Sequence, residues 1–404
     1  MTDFSSEYFT MNEEQAVEYA KEKLDYFKPD AVLTCKEIGD GNLNYVFRIV
    51  DEKNGDSIIL KQAGPVARIS DEFKVSPDRN RIESDILKIQ YDYAPEYTPK
   101  TYQYDPIMNC FAMEDLSDYE IMRAALIKHE TFPDFADHIT TFMAKTLLLT
   151  SDVVMNHKDK KALVKSFINP ELCEISEDLV YTEPFYDCER NEVFPTTLPF
   201  IEKEIWGDQQ LQLETAKLKF EFMTNAQSLI HGDLHTGSVF IKKGSTKVID
   251  PEFAFYGPAG YDIGNVVANL IFAYANGQAT ITDEKEREQF TSYILNTIKD
   301  VVDLFKEKFN TLWNQSEKDL VATYDGFQSY YIDNILMDTA AVTGLELCRR
   351  IIGLAKVADI TSIEQENARK RAEESCLTAA KQFIINRAVF NSGTDFVNQV
   401  KQAF

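Results

Sequence analysis

Leu229–Ala254 reads LIHGDLHTGSVFIKKGSTKVIDPEFA. Two apolar residues lead into His231, Asp233 and His235, packed within five positions. The β-branched run Val239–Ile241 then meets Lys242-Lys243-Gly244-Ser245, a turn signal. A second run, Lys247-Val248-Ile249, delivers Asp250 and Glu252 on either side of Pro251. The pattern predicts a β-hairpin, which brings the acid of the preceding loop and those at the hairpin exit to one end. Three carboxylates gathered there repel one another unless a cation is supplied. That arrangement suits phosphoryl transfer, with one acid orienting a hydroxyl and the others holding Mg²⁺ against nucleotide phosphates. The plainer reading also stands: acids at strand ends serve as solvated turn residues, and His235 as a packing histidine.

Upstream, Thr10 and Glu13 offer a capping box for a helix through Phe27. Three strand-like runs follow, Val32–Ile38, Tyr45–Val50 and Ser57–Lys61. Asn54-Gly55, a strong hairpin signal, joins the last two. Gly39-Asp40-Gly41-Asn42-Leu43-Asn44 joins the first two. Glycines at 39 and 41 let backbone N–H groups approach a phosphate, or simply make a turn. Lys61 ends an apolar run, where a lysine either snorkels or finds an anion. An amphipathic helix near Arg79–Gln90 carries Glu83 beside an Ile82, Ile86, Ile89 stripe. Lys61 on the third strand and Glu83 on the next helix match the ion pair that kinase-like enzymes set against the α- and β-phosphates. Two further strands, Thr101–Tyr104 and Cys110–Met113, end in Glu114-Asp115-Leu116, the expected place of an adenine-reading hinge. The chain is thus expected to divide into residues 1–116 and 117–404.

Downstream, helices are expected over Asp134–Thr150, Leu211–Leu229, Ile263–Ala275, Asp283–Phe309, Tyr330–Val357 and Ile363–Val389. The stretch 169–199, with four prolines and several aromatics, reads as irregular. It is either a cover over the substrate or a long connection. Arg349-Arg350 sits within the penultimate helix, where one of two adjacent side chains must face packing. That arginine needs an anion, either a carboxylate of this acidic chain or a phosphate.

Composition narrows the classes further. With 404 residues and 44% hydrophobic content the chain can bury a large core. A net charge of −24 argues against nucleic acid and anionic membrane as partners, and makes any nucleotide site depend on local cations. The six cysteines form no Cys-x-x-Cys pair, which fits reduced thiols in a cytoplasmic protein. The N-terminus lacks the apolar segment of a signal peptide, and no run approaches the ~18 apolar residues of a membrane span.

These residues together resemble the kinase-like small-molecule phosphotransferases, the group holding aminoglycoside and choline kinases, and within it the 5-methylthioribose kinases. The matching segments are EIGDGNLNYVF (Glu37–Phe47), Lys61 in IILKQA, RIES (Arg81–Ser84), MEDLS (Met113–Ser117), HGDLHTGSVF (His231–Phe240), VIDPEFAFYGP (Val248–Pro258) and LCRRIIGLA (Leu347–Ala355). The stretch 118–230 carries no matching motif. The resemblance implies an α+β, two-lobed protein-kinase-like fold, with a small antiparallel-sheet N-lobe and a larger, mainly helical C-lobe. It implies ATP and Mg²⁺ as cofactors and phosphorylation of 5-methylthioribose at O1, in methionine salvage, by a cytoplasmic homodimer. Gly39, Gly41, Asn44 and Lys61 would contact nucleotide phosphates, and Glu83 would brace Lys61. Glu114, Asp115 and Leu116 would hold adenine, Asp250 and Glu252 the metal. Asp233 would take the substrate hydroxyl proton, while Arg349 and Arg350 would reach the sugar and the transferring phosphate.

Departures from the protein-kinase pattern are informative. Asn44 replaces the third glycine of the phosphate loop with a side chain that can donate to a phosphate. Ser238 stands where a metal-binding asparagine is usual, while Glu252 adds a carboxylate and restores the oxygen count. Only eleven residues separate Asp250 from Asp262, too few for a regulated activation loop or a peptide platform. Three alternatives are open: a kinase of choline, aminoglycoside or homoserine type; a metal-dependent hydrolase using His231, Asp233, His235 and Asp250; and a catalytically inert nucleotide-binding scaffold.

Overall fold

The computed structural model describes residues 2–38, 44–64 and 76–404, so Gly39 and Gly41 lie outside the described residues. The first helix, α1, spans Glu13–Lys23. Its capping box starts at Asn12 and closes with Gln15, two residues later than Thr10 and Glu13 suggested. Asn leads Thr as an N-cap, and Gln15 returns the second hydrogen bond, so this register wins.

Strands β1 (Leu33–Glu37), β2 (Asn44–Asp51), β3 (Ser57–Ala63), β4 (Thr101–Asp105) and β5 (Cys110–Glu114) form one antiparallel sheet in the order β1-β2-β3-β5-β4. Gly55 turns the β2–β3 hairpin at φ 81°, a conformation that Gly adopts without a steric penalty. The register places Lys61 between Val46 of β2 and Phe111 of β5, in the middle strand of the sheet. Helix α2 (Arg79–Tyr93) packs Leu87 against Ile59, Phe111 and Met113. Its Ile82 and Ile86 meet Leu229, Ala254 and Tyr256 instead. Each such aliphatic side chain contributes about 1.5–3 kcal/mol on burial. Helix α2 is therefore glued to the sheet on one side and to the Leu229–Ala254 stretch on the other.

The rest is mainly helical. Strand β6 (Glu120–Ile121) and helix α3 (Met122–Ile127) are followed by α4 (Phe135–Leu149), α5 (His157–Ser166), α6 (Pro170–Leu179), α7 (Leu198–Ile201) and α8 (Gln209–Thr224). The 169–199 stretch is thus not wholly irregular: Pro170 takes the first position of α6, where its missing N–H costs nothing. The helix expected to run to Leu229 ends at Thr224, and Ser228–Ile230 forms β7 instead. Strands β8 (Val239–Lys242) and β9 (Ser245–Val248) make the expected hairpin, turned by Gly244 at φ 73°. Strand β10 (Phe255–Gly257) returns to pair with β7.

Helix α9 (Gly260–Thr280) is buried from Gly260 through Gly277 and forms the centre of this lobe. Around it lie α10 (Glu284–Gln315), α11 (Phe327–Ile352), α12 (Ala358–Thr361), α13 (Glu366–Ile385) and α14 (Gly393–Ala403), the last not anticipated. Gly260 and Gly264, one turn apart, face α11. A Cβ there would fall 2.7 Å from Ile335 O or 2.8 Å from Thr339 O. The glycines let α9 and α11 approach backbone to backbone, which sets the C-terminal end of α11 against the loop between β7 and β8. The fold is the expected α+β, two-lobed, protein-kinase-like one. No described helix is long and apolar enough to cross a membrane.

Candidate active site

The loop after β7 is held by its own backbone. Asp262, on the first turn of α9, accepts the N–H groups of His231 (2.8 Å) and Gly232 (3.0 Å) through its two carboxylate oxygens. His231 donates from Nε2 to Ile249 O at 2.8 Å, and its Nδ1 accepts the Asp233 N–H at 3.3 Å. Nε2 therefore ties the loop to the hairpin exit, and Nδ1 braces the loop on itself. Gly232 sits at φ 83° with Phe253 O only 2.3 Å from where a Cβ would be. Any other residue there would push the loop off the Pro251–Ala254 segment. Asp233 is delivered by this scaffold.

Asp233 meets three cationic or polar partners. His235 Nε2 lies 3.3 Å from Oδ2, while Nδ1 accepts the Gly237 N–H at 3.1 Å, so the proton of a neutral ring belongs on Nε2. Arg349 Nη1 and Arg350 Nη2 each lie 3.4 Å from Asp233 Oδ1. Burial works against an ionised carboxyl here, but His235 and the two arginines outweigh it and hold Asp233 well below the ordinary aspartate value. His235 is itself shifted down, by burial and by Arg123 and Arg350 nearby.

Both arginines, not one, are buried. The reason lies one turn back on α11: Glu346, 1% exposed, accepts from Arg350 Nε at 2.7 Å and from Arg349 Nη1 at 3.2 Å. Asn269 of α9 adds a bond to Glu346 at 3.3 Å. Behind them Arg123 of α3 lies 3.4 Å from the fully buried Asp359 and donates to Asn269 at 2.8 Å. Arg123, Arg349 and Arg350 thus face Asp233, Glu346 and Asp359, three charges against three. Burial pushes the Asp359 carboxyl up to about 6, although Arg123 pulls it down.

Across the cleft, Lys61 Nζ bridges Glu83 (2.7 Å) and Asp250 (2.5 Å). Burial opposes its charge, yet Asp250, Glu83 and Glu252 hold the ammonium above its ordinary value. Asp250 adopts φ 60°, a left-handed conformation that Asp tolerates better than most residues and that turns its carboxyl into the cleft. Its side chain is 46% exposed on the cleft side and its pKa is shifted down: desolvation on its inner side opposes this, and Lys61 and the two histidines prevail. Glu252 is displaced upward by burial, against Lys61 and Arg79. Asn44 Nδ2 donates to Glu252 Oε2 at 3.2 Å, and Asn169 secures the Glu252 carbonyl at 2.8 Å. The structure therefore gathers Asn44, Lys61, Glu83, Asp250 and Glu252 around one set of contacts, and Asp233, Arg349 and Arg350 around another.

The acids of the expected hinge use their side chains elsewhere. Asp115 accepts from Arg48 Nε (2.6 Å) and Ser57 (2.7 Å), and Glu114 accepts the Lys100 N–H at 3.0 Å. Any adenine recognition at Glu114–Leu116 falls to the backbone. The Ser238 hydroxyl donates to Asp233 O at 3.0 Å, inside the loop.

Two hard carboxylates beside a cleft fit Mg²⁺, which keeps several waters and shares its shell with substrate phosphates. Among the described residues no group of three or more His, Cys, Asp or Glu could hold a metal. With both His231 nitrogens committed, the hydrolase alternative loses its ligand set. Sequence reasoning missed Asp262, Glu346, Arg123 and Asp359. Only Glu346 carried a local signal, standing three and four residues before the arginines on one helix face.

A model of the phosphotransferase enzyme family matches residues 195–290. A methylthioribose kinase of Geobacillus kaustophilus (strain HTA426) is 42% identical over 393 residues, covering 97% of this chain and 96% of its own. One of Bacillus pumilus (strain SAFR-032) is 40% identical over 404 residues, covering 100% and 99%. Among solved structures, a choline kinase from Cryptosporidium parvum Iowa II aligns with a TM-score of 0.48 at 12% identity, over 96% of this chain and 94% of that one.

Proposed function

The chain belongs to the methylthioribose kinase family, and on that premise we propose how its residues carry the reaction. The activity is ATP-dependent phosphorylation of methylthioribose. The finer statement, transfer to the anomeric O1 within methionine salvage, is our reading. The observation that carries the residue assignment is the shared hold of Arg349 and Arg350 on Asp233, at 3.4 Å each.

A carboxylate held so far below its ordinary value is a weak base. Asp233 therefore orients the sugar hydroxyl and accepts its proton late, as a loose, metaphosphate-like transfer requires. An anomeric hydroxyl, more acidic than other sugar hydroxyls, suits such a base. The arginines are balanced by Glu346 and Asp233 before the γ-phosphoryl enters. Each guanidinium has further N–H donors beyond those given to Glu346 and Asp233, and these meet the charge spreading over the transferring oxygens. Lys61, braced by Glu83, would lie along the α- and β-phosphates. Glu114–Leu116 would read adenine through backbone groups. Asp250 and Glu252 would hold Mg²⁺, which when bound neutralises phosphate charge.

We place the lobe boundary at 116/117, supported by the end of β5 at Glu114. A cytoplasmic homodimer completes the reading, and gel filtration tests the dimer. The deciding experiment follows ATP consumption with methylthioribose, ribose, choline and an aminoglycoside, with ³¹P NMR of the product. Methylthioribose should be preferred and its phosphate anomeric. A methyl group in an apolar pocket is worth only ~1–3 kcal/mol, so ribose should react poorly and still measurably. Faster turnover of choline or the aminoglycoside refutes the assignment.

A further inference from the structure

Helix α2 touches the nucleotide side of the cleft at two points one turn apart, Arg79 and Glu83. Glu83 reaches Asp250 through Lys61 of β3. Arg79 makes the parallel connection: its Nη2 donates to Asn44 Oδ1 at 3.2 Å, and Asn44 Nδ2 donates to Glu252 Oε2 at 3.2 Å. One strut thus runs Glu83–Lys61–Asp250 and the other Arg79–Asn44–Glu252. The Arg79 side chain is 1% exposed, and its Nη1 is anchored on Gly64 O (3.2 Å) and Ser76 O (3.1 Å). Its Nε stands 3.8 Å from Glu252 Oε2, too far for a hydrogen bond.

The chemistry of an amide gives this arrangement a consequence. Asn44 has one edge that accepts and one that donates, and the two look alike in shape. Against Glu252 and phosphate oxygens, only the N–H₂ edge is attractive; the carbonyl edge is repelled by both. A guanidinium has donors and no acceptor, so Arg79 accepts only one orientation of the amide beside it. We propose that Arg79 is a positioning residue for the nucleotide site, fixing the Asn44 amide with its N–H₂ edge toward the phosphates and Glu252. This rests on the reading of Asn44 as a phosphate contact, and adds a second tie between α2 and the site beside the lysine–glutamate pair.

The test is equilibrium binding of a non-hydrolysable ATP analogue by calorimetry, with and without Mg²⁺, alongside KM for methylthioribose. Asn44→Ala should raise the Kd about tenfold, the loss of a charge-assisted hydrogen bond. Arg79→Met removes this tie together with the 3.8 Å ion pair to Glu252, so it should weaken binding at least as much, and the double variant should be no worse than Arg79→Met alone, because the Asn44 contact is lost in both. Arg79→Lys, which keeps a donor, should recover part of the loss, and KM for methylthioribose should hold in all of them. Losses that multiply to about a hundredfold in the double variant would overturn the proposal, since Arg79 would then act on the nucleotide directly. If Asn44→Ala binds normally, the phosphate contact itself is wrong and the proposal goes with it. Should Arg79→Met not fold, Asn44→Asp decides. It still accepts from Arg79 but turns an oxygen toward the phosphates, so it should bind more weakly than Asn44→Ala; binding as tight as wild type overturns the inference.

Discussion

Glu346→Gln isolates the charge that keeps the arginine pair in place while preserving the shape of the side chain. In the wild type its two oxygens serve Arg350 Nε at 2.7 Å, Arg349 Nη1 at 3.2 Å and Asn269 at 3.3 Å. A glutamine can give its oxygen to Arg350 and Asn269, but its N–H₂ then faces the donor on Arg349. The buried set falls from three charges against three to three against two. Removing one partner of a buried pair costs about 3–5 kcal/mol, and Asp233 still compensates in part, so about 2–4 kcal/mol is expected. At a urea slope of about 3 kcal/mol/M this is a shift of about 1 M in the unfolding midpoint. Arg349 should also drift from Asp233, and a displacement near 1 Å costs up to about 10²-fold in rate. Turnover should therefore fall at least tenfold, with KM for ATP unchanged. Glu373→Gln supplies the control: Glu373 is also 1% exposed and ion-paired, to Arg369 at 2.9 Å, but stands outside the site. It should lose stability and keep turnover. Glu346→Gln that melts and turns over like the wild type refutes the argument; equal turnover losses in both variants would reduce it to general destabilisation.

Glu252→Gln should raise the Mg²⁺ needed for half-maximal rate strongly and Ser238→Ala only slightly, because the Ser238 hydroxyl already serves Asp233 O; an unchanged titration for Glu252→Gln removes it from the metal site. At least one of Arg349→Ala and Arg350→Ala should lose about 10²-fold in kcat, as removal of a transition-state donor does; near-normal turnover in both makes the pair structural. Asp338 is pushed up to about 7 from 3.8, by burial first and Glu221 second, against Arg387. A carboxyl raised on folding leaves stability intact below its unfolded value and loses it as pH rises through about 7. Asp338→Asn should thus gain about 2–4 kcal/mol over wild type at pH 8 and almost nothing near pH 4, read from urea midpoints at the two pH values; a gain independent of pH contradicts the assignment.

What the sequence disclosed depended on how far apart the cooperating residues lie. Asn54-Gly55 and Lys243-Gly244 announce their hairpins because the turn chemistry is local, and both glycines take positive φ as those turns demand. The α6 helix was hidden by the same logic, since Pro170 reads as a breaker until it is seen at the first helical position. Lys61 and Glu83 were readable because one ends an apolar strand and the other lies on the next amphipathic helix, the placement that kinase-like enzymes use for an ion pair. The largely apolar run Ile263–Ala275 announced a helix, but nothing in it specifies that Gly260 and Gly264 admit α11 to backbone contact.

Asp262 marks the limit. Two consecutive N–H groups of the loop, those of His231 and Gly232, point the same way and require an acceptor in a place closed to water. Sequence physics states that need but cannot choose among 66 acidic residues, because the partner stands thirty residues on and is brought back by β7 pairing with β10. Burial pushes the Asp262 carboxyl up, while His231 and the two N–H groups it accepts pull it down. The same holds for Asp359, whose partner Arg123 lies more than two hundred positions earlier. The residues expected to do the chemistry sit in short runs of recognisable types and spacings. The groups that hold them answer to geometry, and only a folded chain shows which acid lies close enough.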